Sequence, residues 1–381
     1  MPEAPWPLLL KNARGLAEES DPRVRARLLA DRVGLLARHG FGSHAAALLP
    51  EARDAVLELD DGEAFVRLAV SEAIAKYYSA DKAGAIESAN TALAAALEHR
   101  MSGLAAEASV WASSAKRTFG VEEAGAIEHL RFALEHAGPA CETTLPRALY
   151  LAGNYLTSAG LRDEAQLFYR DATRLARRAE DLQLCEAIAT YPLLIELNEA
   201  RAAHAAAVLS DDVAVSVEQR LRAAASRSSY GGKRAQVHLH LAEALRLRGR
   251  YAEAAKLIGL YLPQGEAEGL AGVELLIART DRAVCLLHLH DGRAASQDRS
   301  DFHGALERQM SNYSRAALLT NLAEMEQLLD RPEAAARLSA KALAAWDERE
   351  HANARLRTAL EQADFRSCWA APPRLFVVSR Q

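Results

Sequence analysis

With 381 residues and a formal net charge of −5, the chain has no basic excess with which to displace counterions, so broad affinity for nucleic acid or an anionic membrane surface is not expected. Half of its residues are hydrophobic, much of that alanine, and aromatics make up only 6%; such a composition favours many close helix contacts over one large-residue core, and hence an all-α protein. Four scattered cysteines (Cys141, Cys185, Cys285 and Cys368) include no C-x-x-C pair, and no run of about 20 apolar residues is present, so zinc, a disulfide framework and a membrane span are not indicated.

The N-terminal stretch has too short an apolar run and no basic start, which argues against a secretory signal and for a cytoplasmic protein. Residues 1–27 are expected to form an N-terminal cap. From there a small residue recurs near the start of a helix, at Ala45, Ala85, Ala126, Ala165, Ala205, Ala254, Ser296 and Ala335. The gaps run from 39 to 42 residues, except for 49 between Ala205 and Ala254. Each marks one helix–turn–helix unit, so residues 28–224 hold units one to five and residues 234–349 hold units six to eight. The Lys82–Glu87 stretch KAGAIE recurs as EAGAIE at Glu123–Glu128, which supports the period directly.

The fourth unit is the clearest. Leu149, Ala152, Gly153 and Leu156 form one apolar stripe and Ala165, Tyr169 and Ala172 another, with Ser158-Ala159-Gly160 as the break between them. Gly153 and Ala165 let the two helices approach where a larger residue would hold them apart. In the fifth unit Pro192 is expected to kink or divide the first helix. Nine extra residues before the sixth anchor, together with the Ser- and Gly-rich run from Ala225 to Lys233, read as a loop and hinge. A second loose stretch is expected at residues 263–269, a last capping helix at about 350–367, and a tail after Pro372-Pro373, so that 350–381 closes the array.

The spacing of Leu149-x2-Ala152-Gly153-x2-Leu156 and then Ala165-x3-Tyr169 resembles the tetratricopeptide repeat in the order of large and small residues. The period of about 40 resembles the longer-repeat arrays of MalT-like bacterial regulators. The resemblance implies an α-solenoid of about eight units, sixteen to eighteen helices stacked into a right-handed superhelix.

Candidate chemistry is thin. His238-x-His240 and His288-x-His290 lie in predicted helices, where positions i and i+2 point about 200° apart and cannot share a metal. Gly231-Gly232-Lys233 lacks the frame of a phosphate loop and no strand precedes it. Asp60-Asp61 and Asp211-Asp212 read as caps. No hydrolase, metalloprotease or dinucleotide motif is present, so neither an enzyme nor a cofactor is expected.

The tetratricopeptide resemblance implies that the first helix of each unit lines a concave face. It places Tyr77, Trp111, Arg147, Tyr150 and Asn154 there, with Trp111 and Tyr150 as equivalents 39 residues apart. Rings flanked by an arginine and an amide suit an extended peptide; the same rings also suit packing between units. No lysine occupies the inward position that some members of the family use to hold a chaperone's C-terminal carboxylate, so that partner is not expected. The reading is a scaffold for a protein or peptide partner. A ligand-responsive regulatory sensor and an accessory or catalytic protein of a biosynthetic pathway stand as alternatives.

Overall fold

The computed structural model describes residues 6–79, 81–118, 123–137, 142–228, 231–267, 270, 272–291, 302, 304, 306 and 312–362. Sixteen helices run through the described residues, with no strand among them. They are α1 (Pro7–Glu18), α2 (Pro22–Arg38), α3 (Gly42–Leu59), α4 (Gly62–Tyr78), α5 (Lys82–Glu98), α6 (Ser102–Thr118), α7 (Glu123–His136) and α8 (Thr144–Ser158). Then come α9 (Arg162–Arg178), α10 (Leu182–Ala205), α11 (Asp211–Ala225), α12 (Gly231–Leu247), α13 (Tyr251–Ala267), α14 (Gly272–His288), α15 (Asn312–Leu328) and α16 (Pro332–Gln362).

Among the described residues, several helix–turn–helix units are closed by the same local chemistry. The turn after α8 places Gly160 at φ +79°, and the Leu161 N–H reaches back to the Leu156 carbonyl at 2.8 Å. That is the left-handed closure that satisfies carbonyls left open at a helix end. It recurs after α2, α10, α12, α14 and α15, with Gly40, Ala207, Gly249, His290 and Asp330 as the left-handed residue. Helix starts are capped by Asp21, Asp61, Asp81, Asp181 and Ser210, whose side chains accept backbone N–H groups two or three residues on.

The alanine anchors have one structural meaning. Ala45, Ala85, Ala126, Ala165, Ala254 and Ala335 are each the fourth residue of a second helix, buried against the helix before it. Ala205 is not. It ends α10, and the fourth residue of the fifth unit's second helix is Ala214, also buried. Ala214 and Ala254 are 40 residues apart, so the lengthening lies between Ala165 and Ala214, where α10 runs to 24 residues. Pro192 sits inside α10 without dividing it, with Ile188, Leu193 and Leu197 buried around it; packing on both sides outweighs the one hydrogen bond a proline removes.

Other expected breaks also shift. The 225–233 stretch is helical up to Ala225 and again from Gly231, with residues 229 and 230 outside the described residues. Val217 and Leu221 of α11 share one core with Val237 and Leu241 of α12. Pro263, Gln264 and Gly265 belong to α13, which ends only at Ala267. The eighth unit's second helix and the capping helix are one element, α16. Ser296, the 363–381 tail and Cys141 and Cys368 lie outside the described residues.

Two compact units result, divided between Cys185 and Glu186 and again between Ala352 and Asn353. In the N-terminal unit, Arg38 at the end of α2 lies 3.3 Å from Asp181 at the start of α10. In the C-terminal unit, Arg201 of α10 lies 3.0 Å from Asp281 of α14, and His204 of α10 lies 3.5 Å from Glu324 of α15. First helices several repeats apart therefore meet side chain to side chain, which puts them on the inner face of each unit. Among the described residues, no helix is long and apolar enough to cross a membrane.

Candidate functional site

Gly153 fixes the frame of the candidate groove. A Cβ on it would meet Tyr169 Cε1 at 2.5 Å, because the Tyr169 ring of α9 lies directly over this position of α8. The Tyr169 hydroxyl donates to Asn154 Oδ1 at 3.0 Å and is 2.9 Å from Thr157 Oγ1. Forty residues earlier, Ser113 of α6 donates its hydroxyl to the Ala126 carbonyl of α7 at 2.7 Å. Ser113 and Gly153 are thus equivalent close-approach positions. Counting back from them pairs Trp111 with Leu151 and Tyr150 with Val110, so the 39-residue register that equates Trp111 with Tyr150 is one residue short.

That single residue turns the indole by about 100° around its helix. Trp111 is 3% exposed and belongs to the core shared by α2, α4 and α6. Its ring meets Tyr77 at 5.7 Å and Tyr78 at 6.2 Å, both edge to face, and the Arg147 guanidinium of α8 lies over it at 5.1 Å. Tyr77, Trp111 and Arg147 therefore form one stack across α4, α6 and α8. Tyr77 is half-buried, with its hydroxyl 3.0 Å from Thr118 Oγ1. Tyr150, also half-buried, stands apart from this stack, tilted against Tyr169 at 6.4 Å. Asn154 is buried and spends its carbonyl oxygen on Tyr169.

A second feature of this face includes Arg147 alone of the sequence-predicted residues. At a spacing of 40 residues the first helices carry Arg27, Arg67, Glu107 and Arg147. Arg27 pairs with Asp61 at 2.8 Å and Glu63 at 2.7 Å; Arg67 pairs with Asp31 at 2.7 Å and Glu63 at 2.9 Å. Arg147 shares Asp181 with Arg38 and also reaches Gln183 at 3.4 Å. Glu107 makes no hydrogen bond or ion pair among the described residues.

The electrostatics match that inventory. Burial acts to raise the Asp181 carboxyl, but Arg38 and Arg147 together outweigh it and hold the group below the ordinary carboxylate range. Burial, and then the charge of Asp31, push Glu107 above it; Arg38, Arg67 and Arg147 pull back without restoring it. Asp31 is also raised by burial, although its side chain keeps 35% of its surface open to water. A group reached by water yet surrounded by low-dielectric protein sits on a recessed face. The 40-residue ladder is legible in the sequence once the register is right.

The first histidine pair lies within α12, as expected, but His290 falls in the left-handed turn after α14 and not in a helix with His288. His238 stacks on Tyr261 with ring centroids 3.9 Å apart, while His240 approaches Glu243 at 4.0 Å. His288 stacks on Tyr251 and meets Glu324 at 2.9 Å. No group of three or more metal-ligating side chains occurs among the described residues.

No protein-family model matches the chain, and no curated protein does. Among solved structures it is similar to a Rap protein complexed with competence and sporulation factor, at a TM-score of 0.55 and 14% identity. The likeness covers 91% of this chain and 93% of that one. At that identity it is a likeness of fold alone, and the fold is an all-helical repeat.

Proposed function

We propose that this chain is a binding scaffold without catalysis of its own, and that the inner face of its N-terminal unit receives a peptide or protein segment across units two to four. The observation that carries the reading is the Tyr77–Trp111–Arg147 stack, a continuous platform over three successive first helices, flanked by the unpaired carboxylate of Glu107. Adjacent first helices packed about 10 Å apart are bridged by three extended residues at about 3.3 Å each, so one short segment touches all three units. Buried Trp111 and Arg147 form the floor, and half-buried Tyr77 and Tyr150 are the rings a partner reaches. Desolvated Glu107 calls for a cation, so a lysine, an arginine or an amino terminus in the partner is its complement. A helical repeat of the same fold has been solved with a second molecule, competence and sporulation factor, in complex, which supports the class of function.

Affinity capture from the native host, followed by mass spectrometry, identifies the partner, and the same capture with variants tests the face. Tyr77→Ala and Tyr150→Ala are expected to weaken capture by about 2 kcal/mol each, as contact anchors do. Glu107→Gln is expected to weaken it while leaving the melting temperature unchanged or raised. Undiminished capture by all three variants removes this face from the reading.

A further inference from the structure

The inner face of the C-terminal unit is filled by charge rather than by apolar side chains. Arg201 of α10 meets Glu243 of α12 at 2.7 Å and Asp281 of α14 at 3.0 Å. Arg246 of α12 meets Asp281 at 2.9 Å, Glu324 of α15 at 2.6 Å and the Asn321 side-chain oxygen at 3.1 Å. Asn321 in turn donates to Thr280 and Asp281, each at 2.9 Å. Every carboxylate here is engaged by an arginine. The donors are not all used.

Arg201 is fully buried, yet its Nη1 has no hydrogen-bond acceptor. Arg349 of α16 is 9% exposed, and its buried Nη1 also has none; among the described residues its one carboxylate neighbour is the exposed Glu350 at 3.9 Å. The Arg349 guanidinium lies over the Trp346 ring at 5.6 Å, that ring is 6.0 Å from Tyr313, and Ala202 and Ala205 of α10, the helix that carries Arg201, pack against the same apolar cluster. Both arginine charges act on the Tyr313 phenol. Burial, reinforced by Glu243 and Asp281 against the two arginines, holds that phenol above its ordinary range, so it remains a donor. Its hydroxyl makes no hydrogen bond among the described residues. Burial likewise holds the Glu243 carboxyl above its usual range, against the pull of Arg201 and Arg246.

We propose that Arg201, Arg349 and Tyr313 form an oxyanion site inside the C-terminal unit, one that takes a carboxylate or a phosphate group. The site would draw on three donors: two guanidinium Nη1 groups and one phenol. Each is now buried or half-buried without an acceptor, an arrangement that costs folding free energy unless an anion supplies one. Planar guanidinium forks match both oxyanions. The ligand would join α10, α15 and α16, the fifth and eighth units of the array. The site lies on residues separate from the peptide-binding face and does not depend on it.

The test uses the full chain and three probes: sodium acetate, sodium phosphate and sodium chloride at equal ionic strength and pH 7. Melting temperature is followed by circular dichroism. Acetate, phosphate or both should raise it by about 3 °C in a saturable way over chloride, the shift expected at roughly ten times the dissociation constant. A response to acetate alone assigns a carboxylate ligand, and one to phosphate alone a phosphate. Arg349→Gln and Tyr313→Phe should each raise the half-saturating concentration about tenfold. Tyr313→Phe keeps the ring in place, so it decides the matter if Arg349→Gln does not fold. Equal melting temperatures in the three salts overturn the proposal, as does a saturable gain that both variants retain.

Discussion

Replacing Trp111 with alanine separates a packing role from a binding role. The indole is 3% exposed and touches Tyr77, Tyr78 and the Arg147 guanidinium. About 200 Å² of largely apolar surface at about 25 cal/mol/Å² gives roughly 5 kcal/mol as an upper figure. A compact unfolded state lowers that number, and a residual cavity raises it; buried tryptophan-to-alanine changes fall at about 3–5 kcal/mol. The cation–π contact with Arg147 adds about 1 kcal/mol within that range. Trp111→Ala should therefore destabilise by about 4 kcal/mol, read as a lower urea midpoint at 222 nm. Trp111→Phe keeps a ring between the two tyrosines and should recover more than half of the loss. Partner capture is measured on the same proteins, corrected for the folded fraction. An unchanged urea midpoint with lost capture would refute the reasoning, because it would make the indole a contact for the partner rather than the floor beneath it.

At Gly153, alanine already brings a methyl group to 2.5 Å from the Tyr169 ring. Overpacking of about 1–3 kcal/mol, with strain on the Tyr169–Asn154 hydrogen bond, should exceed the roughly 1 kcal/mol of helix propensity gained, so Gly153→Ala lowers the melting temperature. His39 is buried beside Arg38, and burial first, then that charge, lower its pKa to about 4. The unfolded chain then binds the extra proton below about pH 6.5, so stability present above that pH is lost as pH falls toward 4, by about 3 kcal/mol in all. His39→Gln should flatten that part of the urea-midpoint profile against pH, and an unaltered slope would show that other groups set it. Limited proteolysis should cut first within residues 226–230. The fragments should remain associated, because α11 and α12 share a core; two independently folded pieces would instead restore the hinge expected at 225–233.

Local physics was legible in the chain. Gly160 marked a turn that needs a left-handed residue, and Gly153 marked the place where Tyr169 closes on α8. Six buried alanines at the fourth position of second helices gave the period. These signals were readable because each depends on one helix and its neighbour, and a sequence period records that relation directly. Ala205 and Pro192 misled because the fifth unit departs from the period: proline predicts a break from the backbone alone, while buried Ile188, Leu193 and Leu197 hold α10 together. The one-residue error at Trp111 arose where two apolar rings offered two registers and only the Ser113 and Gly153 contacts choose between them. The 40-residue spacing of the charges was legible, but which of them pair across the repeats was not. Arg38 with Asp181, and Arg201 with Asp281, join residues 143 and 80 positions apart. Their meeting depends on small rotations accumulated from repeat to repeat, which no local spacing encodes and only the tertiary structure decides.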